Sequence, residues 1–211
     1  GGDAVPRIAE SREPGRASTT RRQARRRAIL RSAARLGEEH GLERVQMSDV
    51  AAAAEVALGT LYRYYPSKHH LFSGVLEAAV RDLPVPAEKP DDPVAAVADF
   101  LADAMTGLLR RPRLARAMLV SANAVRSSGT VTVDPTMRDH IIAVAGIAEP
   151  TVEDHRLARL VEQCVYGILT WATAGQLDPT EAAADIRHAC ALLLAPWVRD
   201  RHEKSSAAPP R

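Results

Sequence analysis

Only two cysteines occur in the 211 residues, Cys164 and Cys190. Neither sits in a C-x-x-C or Cys/His spacing, so the pattern supports no zinc site and no disulfide framework, and buried free thiols are expected. Aromatic residues make up 4% of the chain, and with β-branched residues scattered rather than clustered, no stretch reads as a strand. No apolar run approaches the ~20 residues that span a bilayer, and the Arg-bearing N-terminus lacks the apolar centre of a secretory signal. The expectation is a cytoplasmic protein with no membrane partner. Also missing are a nucleophile elbow, a phosphate loop and paired carboxylates placed for catalysis. No catalytic residue, metal or cofactor is therefore expected. His140, His155, His188 and His202 stand isolated along the chain, which suits surface or capping roles better than metal ligation.

What is present is 46% hydrophobic residues, rich in Ala and Leu and interleaved with Arg. These are strong helix formers, so the predicted class is all-α, with about nine helices and enough apolar surface for a substantial core. The formal net charge of +2 conceals an uneven distribution. Residues 1–82 carry 14 Lys and Arg against 10 Asp and Glu, whereas residues 83–211 carry 14 against 16. Arg21, Arg22, Arg25, Arg26, Arg27, Arg31 and Arg35 concentrate the positive charge further, as expected where a chain approaches a polyanion.

Gly1-Gly2 reads as a processing remnant, and residues 1–18 hold too few large apolar side chains to offset ordering, so a disordered basic arm is expected there. Thr19 or Thr20 is the expected cap of a first helix running to about His40, with Ile29, Ala33 and Leu36 on one face and Gly41 as its stop. Further helices are expected at about 47–54, 58–64 and 68–82, with Pro66 ending the third and Ser67 capping the fourth. The Pro-rich segment 83–93 marks a boundary. Helices at about 93–111, 113–125, 135–147, 151–174 and 180–202 follow, with a loop at 126–134 and a disordered tail at 205–211.

The stretch from Val45 to Lys68 has the grammar of a helix-turn-helix. Val50 and Ala54 are expected to face the core, the small residues Ala51–Ala53 to admit a close neighbour, and Val56 to plug the turn. Leu61 and Tyr65 then anchor the second helix from beneath. Leu58, Gly59, Thr60, Tyr62, Arg63 and Tyr64 are left around its exposed sides, a set of donors, hydroxyl-tipped rings and a guanidinium unlike an ordinary solvated face. With Gln46 and Met47 at the start of the preceding helix and Arg21, Arg22 and Arg26 from the basic run, these are the candidate DNA-binding residues.

Here the sequence resembles the TetR family of bacterial repressors. The resemblance is carried by Ile29-Leu30 and Ala33-Ala34, Gly41, Asp49-Val50-Ala51, Gly59-Thr60-Leu61-Tyr62, Tyr64-Tyr65, Ser67-Lys68 and Leu71-Phe72. Three positions depart from it: Gln46 replaces a usual capping Thr, Glu55 replaces a common turn Gly, and Ala57 replaces a common capping Ser. The resemblance implies that 19–67 is the DNA-binding domain and 58–64 its recognition helix in the major groove of double-stranded operator DNA. It implies further that Lys68 holds a phosphate, that 68–82 is a connecting helix, and that 83–204 binds an effector and pairs with its twin. A finer likeness, in Val45-Gln46-Met47, 55–64, Arg111-Pro112, Ala117-Met118 and Glu153-Asp154-His155, is to the KstR-type repressors of sterol catabolism from actinobacteria.

Leu157, Leu160, Val161, Cys164, Val165, Ile168 and Trp171, then Ile186, Cys190, Leu193, Leu194 and Trp197, make the last two long helices too apolar for a single buried face. A homodimer through these helices is expected. Phe100, Met105, Leu108, Met118, Tyr166, Leu169 and Trp171 are the candidate lining of an effector pocket, with Asn123 and Gln163 to orient a polar end. The residues alone say only that the ligand is apolar with few polar contacts; the finer likeness suggests a sterol-derived acid or CoA ester. Arg110, Arg111, Arg113 and Arg116 are candidates for a CoA phosphate or for a solvated cluster. The sequence leaves open a DNA-binding regulator with no small-molecule effector, and a helical scaffold with an incidental basic segment.

Overall fold

A computed structural model describes residues 14–129 and 134–198, and among them the only regular secondary structure is α-helix. The helices are α1 (Pro14–Arg44), α2 (Met47–Ala53), α3 (Leu58–Tyr64), α4 (Lys68–Arg81), α5 (Pro93–Leu109), α6 (Pro112–Ser127), α7 (Thr136–Val144), α8 (Val152–Thr173) and α9 (Pro179–Leu193). A further helical turn covers 195–198. Residues 1–13 of the expected arm, residues 130–133 of the expected loop at 126–134, and the expected tail at 205–211 lie outside the described residues.

The start and stop signals acted where the backbone needed them. The Ser67 side chain accepts from the His70 amide at the start of α4, Asp92 and Asp178 cap α5 and α9 ahead of a proline in the first turn, and Thr151 with Asp154 forms a reciprocal capping box on α8. Thr19 and Thr20, expected as caps, instead lie inside α1, which begins at Pro14; residues 14–18 are helical rather than part of an arm. Gly41 does break the helix, at φ 76°, a conformation open to glycine at no steric cost, but the chain resumes a helical turn to Arg44. At the other end α9 stops at Leu193, short of the expected 202.

Two apolar clusters organise the packing. The first joins Ile29, Ala33 and Leu36 of α1 to Val50, Leu61, Tyr65, Leu71 and Phe72, and is completed by Leu114, Ala117 and Met118 of α6. Gly37 shows how closely these meet, since a Cβ there would lie 2.5 Å from Phe72 Cε1 and 3.2 Å from Leu114 Cδ1. The second cluster joins Val97, Leu101 and Met105 of α5, Ile141 of α7, Leu157 and Val161 of α8, and Ile186 and Cys190 of α9, with Leu194 and Trp197 beyond. Burial pushes the Cys190 thiol up to about 11, with Cys164 adding to the shift, so it stays protonated and unreactive at neutral pH. Trp197 donates its indole N–H to Asp154 Oδ1 at 2.7 Å, pinning the turn after α9 onto the start of α8.

Because α6 belongs to the first cluster while its other neighbours belong to the second, the N-terminal unit is not hung on a linker. Arg113 donates to the Glu39 carbonyl at 2.9 Å, and Arg111 pairs with Glu38 at 3.6 Å, so α6 is also tied to the end of α1 by polar contacts. These ties occupy two of the four basic residues considered for a CoA phosphate.

Candidate nucleic-acid interface and effector cavity

Helix α3 forms where its sequence suggests. In α3 only Leu61 is buried; Leu58 and Tyr62 are 43% and 45% exposed, Gly59 and Arg63 are exposed, and Thr60 and Tyr64 are partly so. A Cβ on Gly59 would meet nothing within 4 Å, so this face is open for close approach. Arg63 Nη2 donates to Thr60 Oγ1 at 3.2 Å, one turn back, leaving the rest of its guanidinium fork free to reach outward. Arg22 stands 5.9 Å over the Tyr64 ring, which brings the basic N-terminal half of α1 alongside α3. Arg21 and Gln46 are exposed.

Three candidates sit differently from expectation. Met47 is 8% exposed and packs in the first cluster, because the first position of α2 turns inward; it is withdrawn as a DNA contact. Lys68 donates its ammonium to the Val45 carbonyl at 3.0 Å and the Glu43 carbonyl at 3.5 Å, strapping α4 to the α1–α2 connection. Arg26 donates from Nε to Tyr65 Oη at 3.1 Å and stands 4.0 Å from Glu77. Within the helix-turn-helix, Ala52 and Ala53 are exposed rather than packed against a neighbour. Neither Gln46 nor Ala57 offers a side-chain cap, and Glu55 turns the chain at φ 55°, so all three departures noted in the sequence have a local structural counterpart.

Beneath this surface a cavity of about 700 Å³ opens among α1, α4, α5, α6, α7 and α8. Phe100, Met105, Leu108, Met118 and Leu169 line it, as the sequence suggested. So do Leu30, Arg31 and Ala34 of α1 and Leu76, Ala79 and Val80 of α4, expected in the DNA-binding unit and its connecting helix, and Leu83 just beyond α4. A signal for them was present: 76, 79, 80 and 83 repeat at helical spacing, a second apolar stripe beside the Leu71, Phe72 and Val75 that fill the core. The polar groups on the wall are Arg31, Asp82, Asp103 and Arg111.

A smaller cavity of about 200 Å³ shares Leu76, Val80, Leu101, Met137, Val165 and Leu169 with the first and adds Tyr166, Glu77, Asp134 and Glu162. Tyr166 donates to the Leu119 carbonyl at 3.2 Å or to Asn123 Oδ1 at 3.1 Å, and Arg126 lies 4.6 Å over its ring. Asn123 thus positions Tyr166 and lines neither cavity. Glu162 is paired with Arg138. Burial raises the Asp134 carboxyl, but the Thr136 hydroxyl and amide outweigh it and hold the group below the usual range. Gln163 is exposed and Trp171 is 61% exposed, outside both cavities; with Leu160, Cys164 and Gly167, Trp171 lies along an outward stripe of α8. Both are withdrawn as lining residues.

His140 Nε2 stands 3.0 Å from the Val80 carbonyl, so α7 caps the last turn of α4, and its ring meets Phe100 edge to face at 6.3 Å. Helix α4 is therefore touched on its N-terminal side by the helix-turn-helix, through Lys68 and the Tyr65 ring, and farther along by the cavity walls.

A chain with this fold, a helix-turn-helix at one end and an apolar cavity against its connecting helix, matches two family profiles. The profile for bacterial regulatory proteins of the tetR family covers residues 29–75, and that for the tetracyclin repressor-like C-terminal domain covers residues 91–193. The chain belongs to the TetR family. Among curated relatives it is 31% identical to the HTH-type transcriptional repressor KstR of Mycobacterium tuberculosis, over 81% of this chain and 80% of that protein. It is 30% identical to KstR of Rhodococcus jostii, over 84% and 86%. A crystal structure of a TetR transcriptional regulator from Rhodococcus sp. RHA1 superposes with a TM-score of 0.73 at 40% identity, covering 82% of this chain and 96% of that one. Thermus thermophilus FadR in complex with lauroyl-CoA shares the fold at TM-score 0.56 and 21% identity, covering 80% and 93%. As a TetR-family regulator, the chain carries its DNA-binding function in the helix-turn-helix unit.

Proposed function

We propose that this protein is an effector-released repressor that binds a near-palindromic operator as a homodimer, with Leu58, Gly59, Thr60, Tyr62, Arg63 and Tyr64 meeting the major groove and Arg21, Arg22 and Gln46 at its flanks. One short recognition helix reads too few bases alone, so two, related by a two-fold axis, divide the operator into half-sites. The outward stripe of Leu160, Cys164, Gly167 and Trp171 on α8, together with Leu192 at 64% exposure on α9, supplies the apolar face for the partner. The unit that reads DNA closes near Ser67, and α4 connects it to the effector-binding part.

The observation that carries the effector reading is the 700 Å³ cavity, which is walled by α1 and α4 on one side and α5 to α8 on the other. That volume lies in the range of small-molecule sites, roughly 300–1,000 Å³. A volume filled by the protein's own side chains would favour a regulator without a small-molecule effector, and this one is open. An occupant touching Leu76, Ala79 and Val80 reorients α4 and with it the spacing of the two recognition helices. Methionines at 105, 118 and 137 adapt the wall to the shape of a bulky apolar body. The kinship with the KstR repressors makes a sterol-derived acid or its CoA thioester the narrowest reading of that body.

The test is release of bound operator while steroid acyl-CoA esters, free steroids, fatty acyl-CoA esters and planar cationic compounds are titrated in turn. Release by steroid esters at the lowest concentrations is expected. Release by the cationic compounds alone rejects the ligand class and leaves the repressor reading standing.

A further inference from the structure

Arg26 belongs to the basic run that would meet DNA phosphates, yet its side chain is turned toward its own fold. Its Nε donates to Tyr65 Oη at 3.1 Å, and its Nη2 stands 4.0 Å from Glu77 Oε2. Tyr65 is the residue that closes α3: it is 6% exposed, in extended backbone, with its amide on the Leu61 carbonyl at 2.9 Å. Its ring lies against α4 so closely that a Cβ on Gly74 would approach Tyr65 Cε1 to 2.7 Å. Glu77, one turn farther along α4, lines the smaller cavity together with Ser73, Leu76 and Val80.

We infer that Arg26 is a positioning residue and not a phosphate contact: with Tyr65 and Glu77 it forms a joint that sets the angle of the recognition helix from the position of α4. The inference rests on the DNA-binding reading of this unit proposed above. Three helices meet at this one guanidinium, α1 through Arg26 itself, the end of α3 through the Tyr65 hydroxyl, and α4 through Glu77. The planar fork suits that role, because its donors point in fixed directions and hold two partners in one geometry. Burial pushes the Tyr65 hydroxyl up, and the hydrogen bond from Arg26 offsets part of that shift. The Arg26 guanidinium is raised in turn, first by the same bond, and remains charged at every working pH. Glu77 is raised by burial and then by Asp134, and at 4.0 Å against the 3.1 Å hydrogen bond to Tyr65 its hold on Arg26 is the weaker link of the two. Any displacement of α4 that carries Gly74 and Glu77 with it changes both the seat of the Tyr65 ring and the pull on Arg26.

A phosphate contact and a positioning contact differ in their response to salt, since each neutralised phosphate adds about 0.9 to the slope of log K against log salt on duplex DNA. The experiment uses the full chain and an operator selected from a random duplex library, with unselected duplex as the second probe. Arg26→Met and Tyr65→Phe are each expected to lower operator affinity roughly tenfold, the worth of one charge-assisted hydrogen bond. Both should leave affinity for unselected duplex and the salt slope unchanged, and the double variant should be no weaker than the weaker single. A shallower slope in Arg26→Met, by roughly one unit per arginine, with equal losses on both duplexes, makes Arg26 a phosphate contact and overturns the inference. Tyr65→Phe removes only a hydroxyl and carries the test if Arg26→Met does not fold; unchanged operator affinity in that variant also overturns it. If the wild-type chain prefers no selected duplex over random DNA, the DNA-binding reading itself has failed, an outcome distinct from both.

Discussion

The two ends of this molecule treat their apolar surface differently. Around α1 to α4 the core is closed: Ile29, Val50, Leu61, Leu71 and Phe72 are fully buried, and what remains outside on α3 is mixed in chemistry, with hydroxyls, a guanidinium and two tyrosine rings. Around α5 to α9 the apolar surface is left open twice, once where it faces α1 and α4. A cavity interrupts the interior beside α5, and Leu160, Trp171 and Leu192 stand 39%, 61% and 64% exposed on the outer helices. The first arrangement suits a rigid reader of a fixed partner, because its side chains are held by packing before the partner arrives. The second suits an element whose shape depends on what it binds, since open volume and uncovered apolar area are stabilised by occupants.

The sharpest way to break that contrast is to open the closed core. Phe72 is 0% exposed and touches α1 at Gly37, so Phe72→Ala should cost about 3–5 kcal/mol, by lost transfer energy and by the cavity left behind. Because Leu114 and Met118 of α6 share this cluster, a single denaturation transition is expected to shift as a whole. A second transition, with the larger part unaffected, would mean that the two ends are not coupled through α6.

Next in size is the outer face. Leu160→Glu with Leu192→Glu places charges on a surface that is exposed within the chain, so the fold should survive with a change within about 0.5 kcal/mol. On the dimer reading the variant sediments as a monomer, and operator affinity falls on the order of 100-fold as the two half-sites cease to be linked. A variant that remains dimeric in analytical ultracentrifugation removes this face from the assembly.

The cavity gives a smaller, more selective effect. Ala104 lies on its wall and is only partly buried. Ala104→Phe should therefore occupy part of the volume while leaving operator binding as it was, and the concentration of effector needed for release should rise roughly tenfold, in keeping with about 1–3 kcal/mol for small changes in pocket volume. Equal loss of operator binding and effector response would show damage to the fold instead.

How far this contrast can be read from the sequence depends on distance along the chain. The helix-turn-helix is local: its periodicity, its proline stop and its Ser67 cap all lie within about 25 residues, and α2, α3 and α4 formed within a residue of where they were expected. The cavity is not local. Its walls come from six helices, and Leu30, Arg31 and Ala34 belong to a helix whose obvious task is to carry the DNA reader. Trp171 misleads because an aromatic residue in an apolar helix suggests an interior. Counting back through Gly167 and Cys164 to Leu160 sets it on the outer face instead. Arg26 misleads for a similar reason: a run of arginines gives no hint that one member is turned toward a tyrosine 39 residues away.

The smallest expected effect lies inside the closed end, at its one visible flaw. Glu55 has φ 55°, the only non-glycine residue with positive φ among those described. It follows the end of α2, where the Val56 amide bonds the Ala51 carbonyl at 2.9 Å and the Glu55 amide bonds the Ala52 carbonyl at 3.1 Å. That crossed pair is the Schellman arrangement, and its left-handed residue is usually glycine because a Cβ there crowds the following carbonyl. The strain is worth roughly 1–2 kcal/mol, from which the greater freedom of glycine in the unfolded chain takes back about 0.5–1 kcal/mol. Glu55→Gly should therefore stabilise the protein by up to about 1.5 kcal/mol and raise Tm by about 2–4 °C per kcal/mol for a chain of this size. Glu55→Gln separates geometry from charge: it keeps the Cβ and loses the carboxylate, so its Tm should match the wild type. If the Glu55→Gln and Glu55→Gly variants melt together, the gain comes from removing an acidic group beside the basic surface, and the turn carries no usable strain.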